Sequence, residues 1–125
     1  MVALARPGDW RREAGNAPGM ERAVAVSRDT VGSVGIYSSV VTTAPGGSTR
    51  VHHHGGCETS IYVVSGRARF TWGPTGVEDE LVAEAGDIAY VPAFEVHTEQ
   101  NASATEPLVV VVTRNCPVGV VHYVD

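Results

Sequence analysis

Twenty-two of the 125 residues are valine, against three leucines and three isoleucines. A β-branched side chain loses rotamer freedom in a helix and packs well on a pleated surface, so a chain of this make-up is steered towards strands. Its apolar segments are short: 23–26, 34–43, 49–53, 60–65, 67–72, 80–83, 87–91, 96–101, 108–114 and 118–124. Turn clusters such as Pro45-Gly46-Gly47, Gly55-Gly56, Ser65-Gly66, Gly73-Pro74-Thr75-Gly76 and Ala85-Gly86-Asp87 separate them. Each cluster offers a residue suited to positive φ or one pre-set for a turn. The rhythm predicts an all-β sandwich or barrel. The length suits one domain. Residues 1–20, poor in pattern, read as an N-terminal arm ahead of a single β domain at 21–125. Within the arm, Asp9 is placed to cap a helical turn over 10–14.

The formal charge is −5, and all nine basic residues are arginine. Nucleic acids and anionic membranes need a cationic stripe that displaces counterions, so this balance argues against both. No uninterrupted apolar run is longer than that of Leu108 to Val112, far below the roughly 20 residues of a spanning helix. The first residues lack the charge order of a secretory signal, so the expected location is the cytoplasm. In a reducing compartment Cys57 and Cys116 are expected as free thiols.

The chemically informative stretch is Thr49-Arg50-Val51-His52-His53-His54-Gly55-Gly56-Cys57-Glu58. On a strand, residues two apart share a face, so His52 and His54 point together and form half of a metal site. Glu58 follows across a flexible glycine pair that can return a carboxylate to them. His97 is the candidate third imidazole, provided a later strand lies beside the first. Histidines buried on one face would be costly without partners.

Gly46, five residues, His52-x-His54, three residues, Glu58 and then Gly66 resembles the first motif of the cupin superfamily. Gly86, five residues, Pro92-x-Phe94-x-x-His97, three residues, Asn101 resembles the second. Two departures stand out. Seven residues rather than the usual six separate Glu58 from Gly66, which puts Thr59 in the expected carboxylate register unless a bulge absorbs the extra residue. Phe94 stands where the family often has glycine. The resemblance implies a jelly-roll β-barrel of two antiparallel sheets, with His52, His54, Glu58 and His97 holding one divalent transition metal. Fe(II) is favoured, and Mn(II), Ni(II), Zn(II) and Cu(II) also suit such donors. It also implies a homodimer, for which the valine-rich 118–124 segment is a candidate edge.

Arg50 shares parity with His52 and His54 and is a candidate for orienting an anionic substrate. Phe94 and Tyr37 are candidate substrate contacts from the aromatic stock of core and pocket wall. Cys57, beside Glu58, is a candidate thiol or extra ligand, set against the commoner role of a small apolar filler. The leading functional expectation is a metal-dependent enzyme, an Fe(II)-type oxygenase whose small organic substrate chelates the metal. The alternatives are Lewis-acid isomerase or lyase chemistry on a sugar or polar metabolite, and a non-enzymatic module that holds a metal and a ligand.

Overall fold

The computed structural model describes residues 1–124. Two antiparallel sheets face each other across one core. The first runs in the order β1 (Arg11–Ala14), β2 (Met20–Val26), β3 (Tyr37–Thr43), β10 (Leu108–Arg114), β5 (Thr59–Ser65), β8 (Ile88–Val91). The second runs β11 (His122–Tyr123), β4 (His52–His53), β9 (His97–Asn101), β6 (Arg67–Trp72), β7 (Asp79–Glu84). This is the all-β architecture expected from the strand rhythm, in the two-sheet jelly-roll form that the resemblance implied. Among the described residues, helix is confined to a 3-10 turn at Pro7–Asp9 and one α turn, α1 (Arg28–Val31). None is long and apolar enough to cross a membrane.

The period-two alternation of the valine-rich strands decides which side chains meet inside. On β10, Leu108, Val110, Val112 and Arg114 are buried while the residues between them are partly exposed. Its partner β5 buries Thr59, Ile61 and Val63. From the facing sheet come Ala68 and Phe70 of β6 and Ala83 of β7. Fully burying one such Val, Ile or Phe side chain contributes about 1.5–3 kcal/mol. The β5–β6 connection turns on Gly66 at φ +89, where a Cβ would come within 2.5 Å of the Pro107 carbonyl oxygen. Only glycine fits there without moving the backbone.

The structure differs from the sequence expectation in three places. Residues 11–14 form a strand against β2, with Arg11 opposite Val24, instead of a helical turn, so part of the arm joins the sheet. The segment 49–53 shrinks to a two-residue strand, with a bend at Val51. The valine-rich 118–124 segment contributes only His122–Tyr123, paired with β4.

Candidate metal centre

His52 on β4 lies directly opposite His97 on β9, and the two rings are 4.4 Å apart between centroids. His54 leaves β4 into the turn at Gly55, and its ring sits 4.8 Å from that of His52 and 5.2 Å from that of His97. All three are buried. Each ring is oriented by a backbone carbonyl. Nδ1 of His52 donates to Arg50 O at 2.7 Å, Nδ1 of His54 to Val120 O at 2.7 Å, and Nδ1 of His97 to Glu95 O at 2.8 Å. A carbonyl can only accept, so the proton of each neutral ring belongs on Nδ1 and the lone pair on Nε2. That is how metal-ligating histidines are held.

The Nε2 atoms of His52 and His97 face Glu99, which shares the face of His97 on β9 at a spacing of two, while Nε2 of His54 accepts a hydrogen bond from a terminal nitrogen of Arg114 at 3.3 Å. Glu99 Oε2 is 3.4 Å from His52 Nε2 and 3.9 Å from His97 Nε2. One donor atom from each of His52, His54, His97 and Glu99 lies within 4.8 Å of all the others. Donors about 2.0–2.2 Å from a single ion are at most about 4.4 Å apart, so these four need only a small closure to share one.

The electrostatics suit a cation. Burial, then the neighbouring Arg114 guanidinium, push the His54 imidazole down to about 3. Burial likewise lowers His97, against the opposing pull of Glu99. Burial alone would raise the Glu99 carboxyl, but its contact with His52 and its attraction to His97 and His54 hold it well below the usual carboxylate range. Bare imidazole nitrogens and an ionised carboxylate are the protonation states that a transition metal requires. The fit is sharpest at two atoms. Nε2 of His52 and of His97 are buried and have no hydrogen-bond partner, a condition that costs free energy unless something fills it.

Glu58, expected as the carboxylate ligand, stands elsewhere. It is exposed and accepts hydrogen bonds from Tyr90 Oη at 2.6 Å and Asn115 Nδ2 at 2.8 Å. The extra residue before Gly66 is absorbed between Val63 and Ser65, where the pairing with β10 shifts register. The strand is therefore regular from Thr59 to Val63. Thr59 points inward with Ile61 and Val63, while Glu58 keeps the outward parity of Ser60 and Tyr62. Glu99 supplies the carboxylate instead. The signal for it was its spacing of two from His97.

The other candidates separate as well. Arg50 is exposed, with its guanidinium 4.2 Å from the centroid of the Tyr123 ring, because the bend at Val51 breaks its parity with His52. Cys57 is buried and bonded to Cys116, Cα atoms 5.9 Å apart, so neither cysteine is the free thiol expected. Phe94 adopts φ +61 and leaves its side chain 67% exposed, with its ring 6.3 Å from that of His53 and not in the interior. Its amide, donating to Gly55 O at 2.7 Å, ties the two histidine-bearing loops together. Tyr37 is buried, its ring 5.6 Å from the Arg114 guanidinium carbon. Asn101 holds the loop after β9 by donating to Thr43 O and Glu106 O. A pocket of about 240 Å3, lined by Trp72, Tyr90, Val91, Pro92, Glu95 and His97 among others, reaches the His97 side of the site.

Residues 39–114 match the family described as Cupin domain. A comparison with curated proteins finds none that matches. Among solved structures, the fold is similar to an oxalate decarboxylase of Lactobacillus farciminis in complex with formate, at 20% identity and TM-score 0.79 over 94% of this chain and 34% of that one. It is similar to an oxalate decarboxylase of Bacillus subtilis, at 28% identity and TM-score 0.75 over 90% and 29%; a further structure of that enzyme is described by its Mn(II) centres. The chain thus spans about a third of the length of the decarboxylases it matches. It is also similar to the polyketide cyclase RemF of Streptomyces resistomycificus, at 20% identity and TM-score 0.79 over 100% of this chain and 87% of that one.

Proposed function

The chain belongs to the cupin family, and from its buried donor set we propose a metal-dependent enzyme acting on a small polar organic molecule, with His52, His54, His97 and Glu99 holding one divalent transition-metal ion. The observation that carries this reading is the pair of buried, partnerless Nε2 atoms of His52 and His97 beside the Glu99 carboxylate. Three imidazoles and a carboxylate are a donor set of mixed hardness, suited to Mn(II), Fe(II), Co(II), Ni(II) and Zn(II). When bound, such an ion supplies Lewis-acid polarisation of a substrate oxygen.

The chain's own residues supply the rest. The Nδ1 bonds to Arg50 O, Val120 O and Glu95 O keep the rings from turning. The apolar walls of Ile61, Phe70, Val91 and Val112 keep water from the interior. The pocket of about 240 Å3 falls below the roughly 300–1,000 Å3 of sites for drug-sized ligands, which favours a substrate of a few heavy atoms over a polycyclic one. Fe(II)-dependent oxygenation, the chemistry favoured from the sequence, finds no support in the site beyond a donor set that other divalent ions share. The Mn(II) centres described for a neighbour weigh towards a broader choice of ion.

The test is metal titration of metal-free protein, with stoichiometry read by elemental analysis and, for Mn(II), by electron paramagnetic resonance. One ion per chain is expected. Glu99→Gln should weaken it at least about tenfold, because an ionised ligand is replaced by a neutral amide. Glu58→Gln should leave affinity within about twofold, its carboxylate lying outside the cluster. The reverse ranking, or no saturable binding in the wild-type chain, would remove the reading.

A further inference from the structure

Two of the nine arginines are buried, Arg22 at 5% and Arg114 at 1% exposure. Both stand at inward positions of strands whose other inward residues are apolar. Arg114 closes the series Leu108, Val110, Val112 on β10, and Arg22 lies between Met20 and Val24 on β2. Neither forms an ion pair with a carboxylate among the described residues. Arg114 approaches His54 Nε2 through one terminal nitrogen at 3.3 Å, while its Nε and its other terminal nitrogen have no partner. Arg22 Nε is also buried without one. The Tyr37 ring, 5.6 Å from the Arg114 guanidinium carbon, takes part of the charge through its face and leaves the Nε and second terminal N–H groups unused.

A guanidinium taken out of water without an anion is strongly unfavourable, so interior stability does not account for either residue. With two guanidiniums and the Glu99 carboxylate, this part of the interior carries a net single positive charge, and a divalent ion at the donor set would add two more. An interior so charged calls for an anion. A void of about 20 Å3, room for a single water, borders Arg22 and Glu99 among mostly apolar side chains but does not reach Arg114.

We propose that Arg114, which meets His54 Nε2 and keeps two buried nitrogens unpartnered, forms a carboxylate-binding subsite next to the His52, His54, His97 and Glu99 cluster, with Arg22 adding positive charge from farther along the interior, and that the substrate is a small organic carboxylate. The planar N–H fork of arginine matches a carboxylate bidentately and holds its orientation. The substrate class builds on the metal-enzyme reading above, but the subsite itself belongs to the metal-free protein and is testable there.

The probe is formate, with formamide as its neutral counterpart, titrated into metal-free protein by calorimetry and by chemical-shift changes, and again after loading with Zn(II). The wild-type chain should bind formate saturably and formamide not at all, and Zn(II) should tighten formate binding. Arg114→Gln and Arg114→Met should weaken formate binding by about ten- to a hundredfold, with Arg22→Gln showing a smaller loss. Arg114→Lys, which keeps the charge and loses the fork, should fall between. Formate affinity unchanged within twofold in folded Arg114 variants would overturn the subsite, as would failure of every Arg114 variant to fold. Formate binding that depends on Arg114 in a chain that takes no metal would keep the subsite and remove the metal reading. Metal binding with formate indifferent to Arg114 would do the opposite.

Discussion

Along β10 the interior changes character within one strand: Leu108, Val110 and Val112 lie in the apolar cluster, and the next inward residue is Arg114. The neighbouring strand β5 mirrors the change. Val63 and Ile61 face Val110 and Val112, and Thr59 faces Arg114. At the apolar end, side chains from both sheets satisfy one another by contact, with Arg22 the exception among them. At the polar end, Nε2 of His52 and His97, Thr59 Oγ1 and nitrogens of Arg114 are buried without partners. The contrast teaches that one end holds the fold together and the other is kept in spite of what it costs, as binding sites commonly are.

The largest test of this division is Phe70→Ala. Phe70 is 6% exposed in the middle of β6, and its loss should destabilise the protein by about 3–5 kcal/mol in urea unfolding. Arg114→Met, only a strand's length away, should leave stability unchanged or raised, since an apolar side chain would replace an unpaired buried charge. Equal losses at the two positions would erase the distinction between the ends.

The next effect is acid sensitivity. The folded chain holds His54 near 3, below the 6.5 of an exposed imidazole, so between these values the unfolded chain binds the extra proton. Stability of the metal-free protein is then fully present above about pH 6.5 and declines as pH falls towards 3. His54 alone should remove about 2 kcal/mol between pH 6.5 and 5. His97, lowered in the same sense, adds to the loss below its unfolded value, and Glu99 adds to it below the ordinary carboxylate range. Urea midpoints across this range should fall for the wild-type chain and flatten in His54→Phe. A flat wild-type profile would mean that the polar end does not hold its histidines neutral.

The smallest effect concerns the turn that ties the polar end together. Phe94 sits at φ +61, where a bulky side chain is strained by about 1–3 kcal/mol. Phe94→Gly should raise stability by about 1 kcal/mol in thermal denaturation, because glycine adopts this conformation freely. A loss instead would show that the Phe94 ring contributes more through contact with His53 than its backbone costs.

Much of this arrangement was legible in the sequence wherever period-two logic applied to a regular strand. The strands at 67–72 and 108–114 begin and end where composition and turns placed them, and the convergence of His52, His54 and His97 followed from spacing plus the family motifs. The carboxylate was misplaced because the extra residue before Gly66 had two possible locations, and only the pairing of β5 with β10 puts it past Val63. The inward parity of Ile61 and Val63 already favoured Thr59 over Glu58. Arg50 went astray at the bend beside Val51, since parity carries no information across an irregular residue. The Cys57–Cys116 pairing spans 59 residues and depends on tertiary approach, which spacing does not reveal. Arg114 was readable as the fourth inward position of its strand, but a lone charged residue at a strand end is ordinarily solvent-facing.

A carboxylate mounted on a loop swings with the loop. Glu99 is anchored on both flanks: its backbone exchanges hydrogen bonds with Thr49 on one side, and on the other it pairs in register with Phe70. Only its own side-chain torsions are free to rotate. An ion seated here would be held from one sheet, by the paired strands β4 and β9 and by His54 at the start of the Gly55 turn, so its release should follow the Glu99 side chain turning aside or that one turn moving, and should be indifferent to the remaining surface turns.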